Sequence, residues 1–450
     1  MDEELDFNDE YNHGYSEEKN YVKPTDEILL DQIEWFRDQK LGLMMHWGPY
    51  SQWGCCESWP LSDEDSSWSR EKDVLWTCDS EYKKAYWNLN KTFNPVRFDP
   101  QKWAEDALSS GFKYLLFTTK HHDGFCMWDT AYSDYKITAS DCPYNINKNA
   151  DICKNLFDAF RDKGLPICAY FSKADWHSTY YWEDDKKIDG FTTRNTSYNT
   201  EENPEIWEKF VQYTKAQLLE LVEKYGRIES LWFDAGQVNP SNKQDIRLSE
   251  IMVEARKIQP WILSVDRTVG GINENYITPE QTVPKKPLNI PWESCVTLGN
   301  SFSYHYDDNY KSSQTTLRLL IDIVAKGGNL VLNIGPQPDG RMSQKAIEIF
   351  ELMGKWLKEN GEAIYKTRIC APYRSEKFAY TQNKEAAFAI YTGSNNEVLK
   401  DQLEIPFGKK VQLITFKNKP VNFIQKEKSI ILTLSENINA DYPVVFKLNK

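Results

Sequence analysis

Side chains able to do chemistry collect where short apolar runs of this sequence end. Asp234 closes the run SLWFD, and Arg267 follows ILSVD. His121 and His122 follow YLLFTTK, and His46 ends LGLMMH. Carboxylates act as nucleophiles or as acids and bases, and imidazoles hydrogen-bond hydroxyl groups. The pattern predicts one polar site assembled from several segments.

Two glutamates could supply a second carboxyl group beside Asp234. Glu280 lies in the loop-like stretch NENYITPEQ, and Glu293 lies in PWESC next to Trp292. Cleavage of a glycosidic bond uses such a pair, held about 5 to 5.5 Å apart when the anomeric configuration is retained. Each carboxylate also has a simpler interpretation, because a loop glutamate is often only solvated and a lone Asp after a strand often caps a turn.

A metal site is the alternative interpretation of the histidines. The chain has six histidines, without the HxH or HExxH spacing of common zinc sites. Adjacent Cys55 and Cys56 match no zinc spacing, and Cys126, Cys153 and Cys168 lie in apolar runs where a thiol behaves as a small buried hydrophobe. We therefore expect no metal and no organic cofactor, and keep a metal-dependent hydrolase as the alternative.

Strand-length apolar runs alternate with amphipathic stretches, which indicates a parallel sheet covered by helices. Helices are predicted over residues 151–164, with Asp151 as the cap, and over 204–226. Polar clusters end nearly every run, as at the mouth of a (β/α)₈-like (TIM-type) barrel. No glycine-rich phosphate loop follows the first run, which counts against a dinucleotide-binding fold. The runs cover residues 41–48, 114–122, 166–172, 230–234, 262–267 and 329–335.

After about Tyr365 the apolar residues alternate with polar ones, in segments such as AAFAIYTG and KSIILTLS, as in an antiparallel β-sandwich. We therefore predict an α/β chain of three parts. Residues 1–23 form a loose acidic extension, residues 24–364 a catalytic barrel, and residues 365–450 a C-terminal β-sandwich.

The composition of the chain narrows the classes of molecule that it is expected to bind. A formal net charge of -13 over 450 residues disfavours nucleic acid and anionic membranes, which bind clustered Lys and Arg. Aromatic residues reach 14%, and their flat rings suit the faces of sugars as well as protein cores. The first residues, MDEELDFNDE, lack the basic and apolar stretches of a secretion signal. The sequence does not decide the cellular compartment, because a signal could have been removed, and it does not decide the oligomeric state.

Four segments resemble a known family. WFRDQKLGLMMHWGPYSQWG, YLLFTTKHHDGFCMWDTAYSDYKI, SLWFDAG and DIVAKGGNLVLNIGPQPDG are similar to signature segments of glycoside hydrolase family 29, the retaining α-L-fucosidases. The similarity runs from about residue 30 to 365, in the family's order and spacing. It implies a (β/α)₈-like barrel followed by a β-sandwich, in agreement with the pattern above.

The resemblance also implies residue roles. Asp234 would be the nucleophile and Glu280 in TPEQ the acid/base, with Glu293 and the more distant Glu57 as competing positions. ESWP, with Glu57 and Trp59, departs from the family's tighter Glu-Trp pair. Substrate contacts would come from His46, Glu57, Trp59, His121, His122, Tyr170, Trp232, Arg267, Trp292 and Glu293.

The implied activity is exo-hydrolysis of terminal α-linked L-fucose from a fucosylated oligosaccharide or glycoconjugate, without metal. DAGQV, SVDRTVGG and ENYITPEQ look most like the subgroup that acts on α-1,3 and α-1,4 branches of Lewis-type glycans. A non-catalytic fucose-binding protein is a further alternative, which the paired carboxylates disfavour.

Overall fold

The computed structural model describes residues 14–62, 66–70, 79–189, 192–394 and 396–449. A parallel α/β unit comes first, and an all-β unit follows it. The fold class predicted from the sequence is confirmed, with one irregularity in the barrel wall. Among the helices described, none combines the length and the apolarity that a membrane crossing requires.

Seven parallel strands form the wall of the barrel, in the order β5-β4-β3-β2-β1-β7-β6. Their residues are almost all buried, which is why the sequence shows continuous apolar runs and not alternation. The strands are β1 (Leu41–Met45), β2 (Leu115–Lys120), β3 (Ile167–Ser172), β4 (Ser230–Asp234), β5 (Leu263–Asp266), β6 (Glu293–Thr297) and β7 (Asn329–Ile334).

Helices cover the outside of this wall. Aspartates begin two of the helices between strands, because Asp99 accepts the backbone N–H of Lys102 and Asp151 that of Lys154. The predicted Asp151 cap is therefore confirmed. The helices are α1 (Glu27–Gln39), α2 (Asp79–Trp87), α3 (Pro100–Ser109), α4 (Ile152–Asp162), α5 (Pro204–Lys224), α6 (Leu248–Ile258), α7 (Ser313–Ala325) and α8 (Gln344–Asn360).

A short irregular segment, residues 274–281, spans the gap between β5 and β6. Glu274 bridges Val265 on one side, and Glu280 bridges Cys295 on the other. The N–H of Gln281 donates to the carbonyl of Cys295 at 2.8 Å. We call residues 274–281 the bridging segment; it stands where an eighth strand would close the barrel.

The outer part of the predicted N-terminal extension, residues 1–13, lies outside the described residues. Its inner part touches the barrel, since Ser16 donates a 2.5 Å hydrogen bond to Glu274 and Tyr21 bridges Gly271.

The C-terminal unit contains a six-stranded antiparallel sheet, a three-stranded sheet and a two-stranded sheet around their own apolar core. It rests on the barrel helices, where the Trp356 indole donates to the carbonyl of Pro443 at 2.8 Å. The strands are β8 (Arg368–Arg374), β9 (Phe378–Gln382), β10 (Ala386–Tyr391), β11 (Val398–Leu399), β12 (Gln402–Ile405), β13 (Leu413–Phe416), β14 (Lys419–Pro420), β15 (Asn422–Gln425), β16 (Ile430–Thr433), β17 (Ile438–Asn439) and β18 (Val444–Asn449).

Candidate active site

The carboxyl ends of the parallel strands bring the predicted polar residues together. His46 follows β1, His121 and His122 follow β2, Asp234 ends β4, and Arg267 follows β5. Because the strands are parallel, these positions share one end of the barrel. The rings of His46 and His121 lie 5.7 Å apart, and the His122 ring lies 4.2 Å from that of His121.

Asp234 is held by two hydrogen bonds and lies beside a histidine. The Tyr170 hydroxyl donates to its Oδ2 at 2.6 Å, and Arg267 Nη1 donates to its Oδ1 at 2.9 Å. His122 Nε2 stands 3.8 Å from Oδ2. Burial would raise the pKa of Asp234, but Arg267, the histidines and the Tyr170 hydrogen bond outweigh it and hold the pKa well below its usual range. The carboxylate is therefore ionised and positioned, as a nucleophile must be.

Arg267 links Asp234 to a second carboxyl group. Its Nη2 forms an ion pair with Glu280, which the bridging segment carries to the same end of the barrel. The guanidinium lies over the Trp232 ring, 4.4 Å from its centroid, and Tyr170 stacks on that indole at 5.4 Å. Trp232 thus supports both groups that hold Asp234.

Two of the histidines have a defined tautomer. His46 Nδ1 donates to Asn333 Oδ1 at 2.8 Å. The Ser172 hydroxyl donates to the carbonyl of Ala174, so it accepts from His122 Nδ1, 2.7 Å away. Burial lowers the pKa of both histidines to about 4, which keeps them neutral.

Neutral imidazoles with a protonated Nδ1 leave Nε2 as an acceptor. His122 Nε2 is buried and finds no hydrogen-bond partner among the described residues. It faces the negative Asp234 and not a donor. Such an acceptor is suited to a hydroxyl group of a bound sugar.

The loop of Glu57, Ser58 and Trp59 forms one side of the site. Ser58 Oγ lies 2.5 Å from His121 Nδ1, and the Trp59 ring stands 4.8 Å from that of His122. Glu57 is buried and accepts the N–H of Ser303 at 2.6 Å, and burial raises its pKa to about 7. Repulsion from Glu280 contributes to that rise.

The structure does not bring Trp292 and Glu293 to this end of the barrel, contrary to their predicted place in the pocket. Glu293 is the first residue of β6 and pairs with Asn329, the first residue of β7. The start of a parallel strand lies at the opposite end from the histidines. The Trp292 indole packs there against Gly328, where a Cβ would approach its ring to 2.5 Å.

Sequence reasoning missed the residues that orient the site. Ser58, Ser172 and Asn333 fix the histidine rings, and two buried ion pairs join strand ends to loops: Lys120 with Asp175 at 2.9 Å and Lys173 with Asp266 at 2.5 Å. The sequence did contain one signal for these ion pairs: Lys120 ends an apolar run and Lys173 directly follows one, and a charged residue at such a position needs a buried partner.

A cation could find ligands in the same place. His121, His122 and Asp234 each offer one ligand atom, and these three atoms lie within 4.8 Å of one another. However, Arg267 already compensates the charge of Asp234, so the carboxylate needs no metal ion to stay ionised.

The comparisons with known proteins agree on one family. The profile of the alpha-L-fucosidase family matches residues 11–362. Human plasma alpha-L-fucosidase is 28% identical over 350 residues, which cover 74% of this chain and 69% of that protein.

Solved structures extend the likeness to nearly the whole chain. Alpha-L-fucosidase isoenzyme 1 from Paenibacillus thiaminolyticus superposes with a TM-score of 0.75 at 26% identity, covering 94% of this chain and 99% of that one. A GH29 alpha-L-fucosidase from Bacteroides thetaiotaomicron, trapped as a covalent intermediate with 2-fluoro-fucosyl fluoride, shares the fold at 23% identity with a TM-score of 0.76. That likeness covers 96% of this chain and 98% of that one.

Proposed function

The chain belongs to the alpha-L-fucosidase family of glycoside hydrolases, and we propose that it removes terminal α-linked L-fucose with retention, by double displacement at Asp234. The observation that carries the proposal is the ionised Asp234 carboxylate, held by Arg267 and Tyr170 beside neutral His46 and His122. The family gives the hydrolase class, and this geometry supports the proposed roles.

In the first step, Asp234 attacks the anomeric carbon of fucose while Glu280, in the protonated form that has taken up a proton from solvent, gives that proton to the departing glycosidic oxygen. A covalent fucosyl-enzyme forms and the glycan leaves. In the second step, Glu280 takes a proton from water, and the resulting nucleophile releases fucose from Asp234. The trapped intermediate of the Bacteroides thetaiotaomicron enzyme corresponds to the state proposed here between the two steps.

The bridging role of Arg267 supports retention. One guanidinium contacts both Asp234 and Glu280, which places the two carboxyl groups against the same side chain. Retaining enzymes hold their two carboxyl groups close together, about 5 to 5.5 Å apart, whereas inverting enzymes leave room for a water molecule between the groups.

Recognition of fucose would rest on the imidazoles. His46 and His122 offer Nε2 acceptors to the hydroxyl groups, His121 lies beside them, and Tyr170 and Trp232 present apolar rings. Hydroxyl contacts would dominate selectivity, because one methyl contact discriminates only about 10- to 200-fold.

For the glycan, we propose α-1,3- and α-1,4-linked fucose of Lewis-type branches. The support is the similarity of DAGQV, SVDRTVGG and ENYITPEQ to that subgroup. In this scheme residues 24–364 are the catalytic unit and residues 365–450 buttress it.

A comparison of three substrates tests the proposal: a chromogenic aryl α-L-fucoside, a Lewis trisaccharide and an α-1,2-fucosylated lactose. We expect release of fucose from the first two, with the α-anomer formed first by NMR. Preference for the α-1,2 linkage would contradict the linkage proposal, and a β-anomer as first product would contradict retention.

A further inference from the structure

Glu293 is a carboxyl group buried at the closed end of the barrel, below the active site. Its side chain is fully buried within a mostly apolar cluster. The Tyr114 hydroxyl donates to its Oε2, while its Oε1 has no hydrogen-bond partner in the described part of the chain. A carboxyl group in such surroundings costs stability, because burial of an unpaired charge is unfavourable. It therefore calls for a functional explanation.

Trp232 lies between Glu293 and the catalytic groups. Its indole Nε1 is also buried with no hydrogen-bond partner in the described residues, yet it is close enough to lower the pKa of Glu293. A buried donor without an acceptor and a buried acceptor without a donor thus belong to one cluster, since Trp232 lies in the same core cluster as the Tyr114 that binds Glu293. A small rotation of the indole would let Glu293 accept its N–H.

The opposite side of Trp232 carries the site. The Arg267 guanidinium lies 4.4 Å from the ring centroid, and the Tyr170 ring stacks on the indole. Both of these residues hydrogen-bond Asp234, and Arg267 also binds Glu280. A change in the tilt or electron density of the indole therefore reaches Asp234 through Tyr170 and Arg267, and Glu280 through Arg267.

We propose that Glu293 is a positioning residue that acts through Trp232, setting the indole and with it the hold of Arg267 and Tyr170 on Asp234. In the ionised state its carboxylate attracts the indole N–H and strengthens the stacking of the ring on the guanidinium. In the neutral state that attraction is lost. This role rests on the proposed function and adds a residue to it.

Among the titratable groups packed around Glu293, Glu293 is the group whose charge changes near pH 7. Tyr114, Cys168, Tyr276 and Cys295 surround it, and burial raises the pKa of each well above its usual value, so all four stay neutral. Arg267 is permanently cationic. Burial raises the pKa of Glu293 itself to about 7, which the Tyr114 hydrogen bond moderates.

The experiment compares pH profiles of kcat/KM for an aryl fucoside. We expect the wild-type profile to fall as pH is lowered through about 7, where both Glu293 and Glu57 become protonated. Glu293→Gln should remove the Glu293 part of this acid limb, leaving the part that belongs to Glu57, and should lower kcat at pH 8 about tenfold, the scale of one cation–π contact.

Tyr114→Phe provides a second test, which does not depend on folding of the Glu293 variant. It removes the donor to Oε2, so the acid limb should move to higher pH by about one unit. Tyr276→Phe is the matched control. It loses a hydroxyl group in the same cluster that pairs with Ser230, and it should leave the limb in place.

An acid limb that stays at the wild-type position in Tyr114→Phe, or a wild-type profile in a folded Glu293→Gln, would overturn the inference while the proposed function stands. A wild-type protein inactive on every fucoside would overturn both.

Discussion

Lys120 and Asp175 form an ion pair with an Nζ–Oδ2 distance of 2.9 Å, and both side chains are completely buried. Gln217 and Tyr213 of α5 complete the hydrogen bonds around them. Lys120 ends β2 immediately before the histidine pair, so this contact ties the histidines to the loop after β3. The ion pair therefore acts on the site through the histidines and the loop that it joins.

Replacement of Lys120 by Met should leave the Asp175 charge buried and uncompensated. We expect the free energy of unfolding to fall by about 3 to 5 kcal/mol, measured by urea denaturation. Lys136→Met, which breaks the more exposed pair with Asp129, should cost less than about 1 kcal/mol. Equal losses in the two variants would contradict the structural role of the buried pair.

Asp234→Ala should abolish hydrolysis of an aryl fucoside without unfolding the protein, because it removes the proposed nucleophile of the covalent step. Added azide should restore turnover and give β-fucosyl azide, the inverted product. Asp129→Ala, at a carboxylate far more exposed than Asp234, should behave as wild type. Persistent hydrolysis by the Asp234 variant would refute its role.

Glu280→Gln should affect substrates according to their leaving group. A Lewis trisaccharide needs protonation of its departing oxygen, so its rate should fall about 10²- to 10⁴-fold, whereas a dinitrophenyl fucoside should form the fucosyl-enzyme nearly normally. Azide should then yield the retained α-azide. Glu57 is the competing position for the acid/base role, and Glu57→Gln tests it. If Glu57→Gln yields the α-azide, the acid/base role belongs to Glu57.

Glu57 should make stability depend on pH in a predictable direction. Its pKa rises from 4.5 to about 7 on burial, so the folded state binds more protons between these values. Its contribution to stability is fully present below the unfolded pKa and is lost as pH rises to about 7, at up to about 1.4 kcal/mol per pH unit. Glu57→Gln should gain stability relative to wild type over this window in urea titrations; a pH-independent difference would contradict the assigned shift.

Removal of metal ions should leave activity unchanged, because Arg267 supplies the positive charge beside Asp234. The check is turnover after dialysis against a chelator. Added Zn²⁺ should inhibit competitively with substrate, since His121, His122 and Asp234 can ligate it. Activity that disappears with chelator and returns with Zn²⁺ would favour the metal-dependent alternative.

The strand ends could be predicted from the sequence because each buried strand is a continuous apolar run that stops at a polar residue. His46, His121, His122 and Asp234 were found in this way. Glu293 was misplaced because ESCVT has no such run, so nothing showed that the glutamate begins a strand instead of following one. The partners of the histidines were also hidden, since Ser172 and Asn333 lie inside apolar runs and gain meaning only when strands become neighbours.

The bridging segment has an evolutionary consequence. Asp234 occupies a fixed register in a strand, where insertion of one residue would turn every following side chain to the other face. Glu280 lies in a segment that joins the barrel wall through isolated bridges and not through a continuous strand ladder, so a length change there would be absorbed locally. Lineages that share this scaffold should therefore preserve the spacing around Asp234, while the chain position of the second carboxyl group should vary.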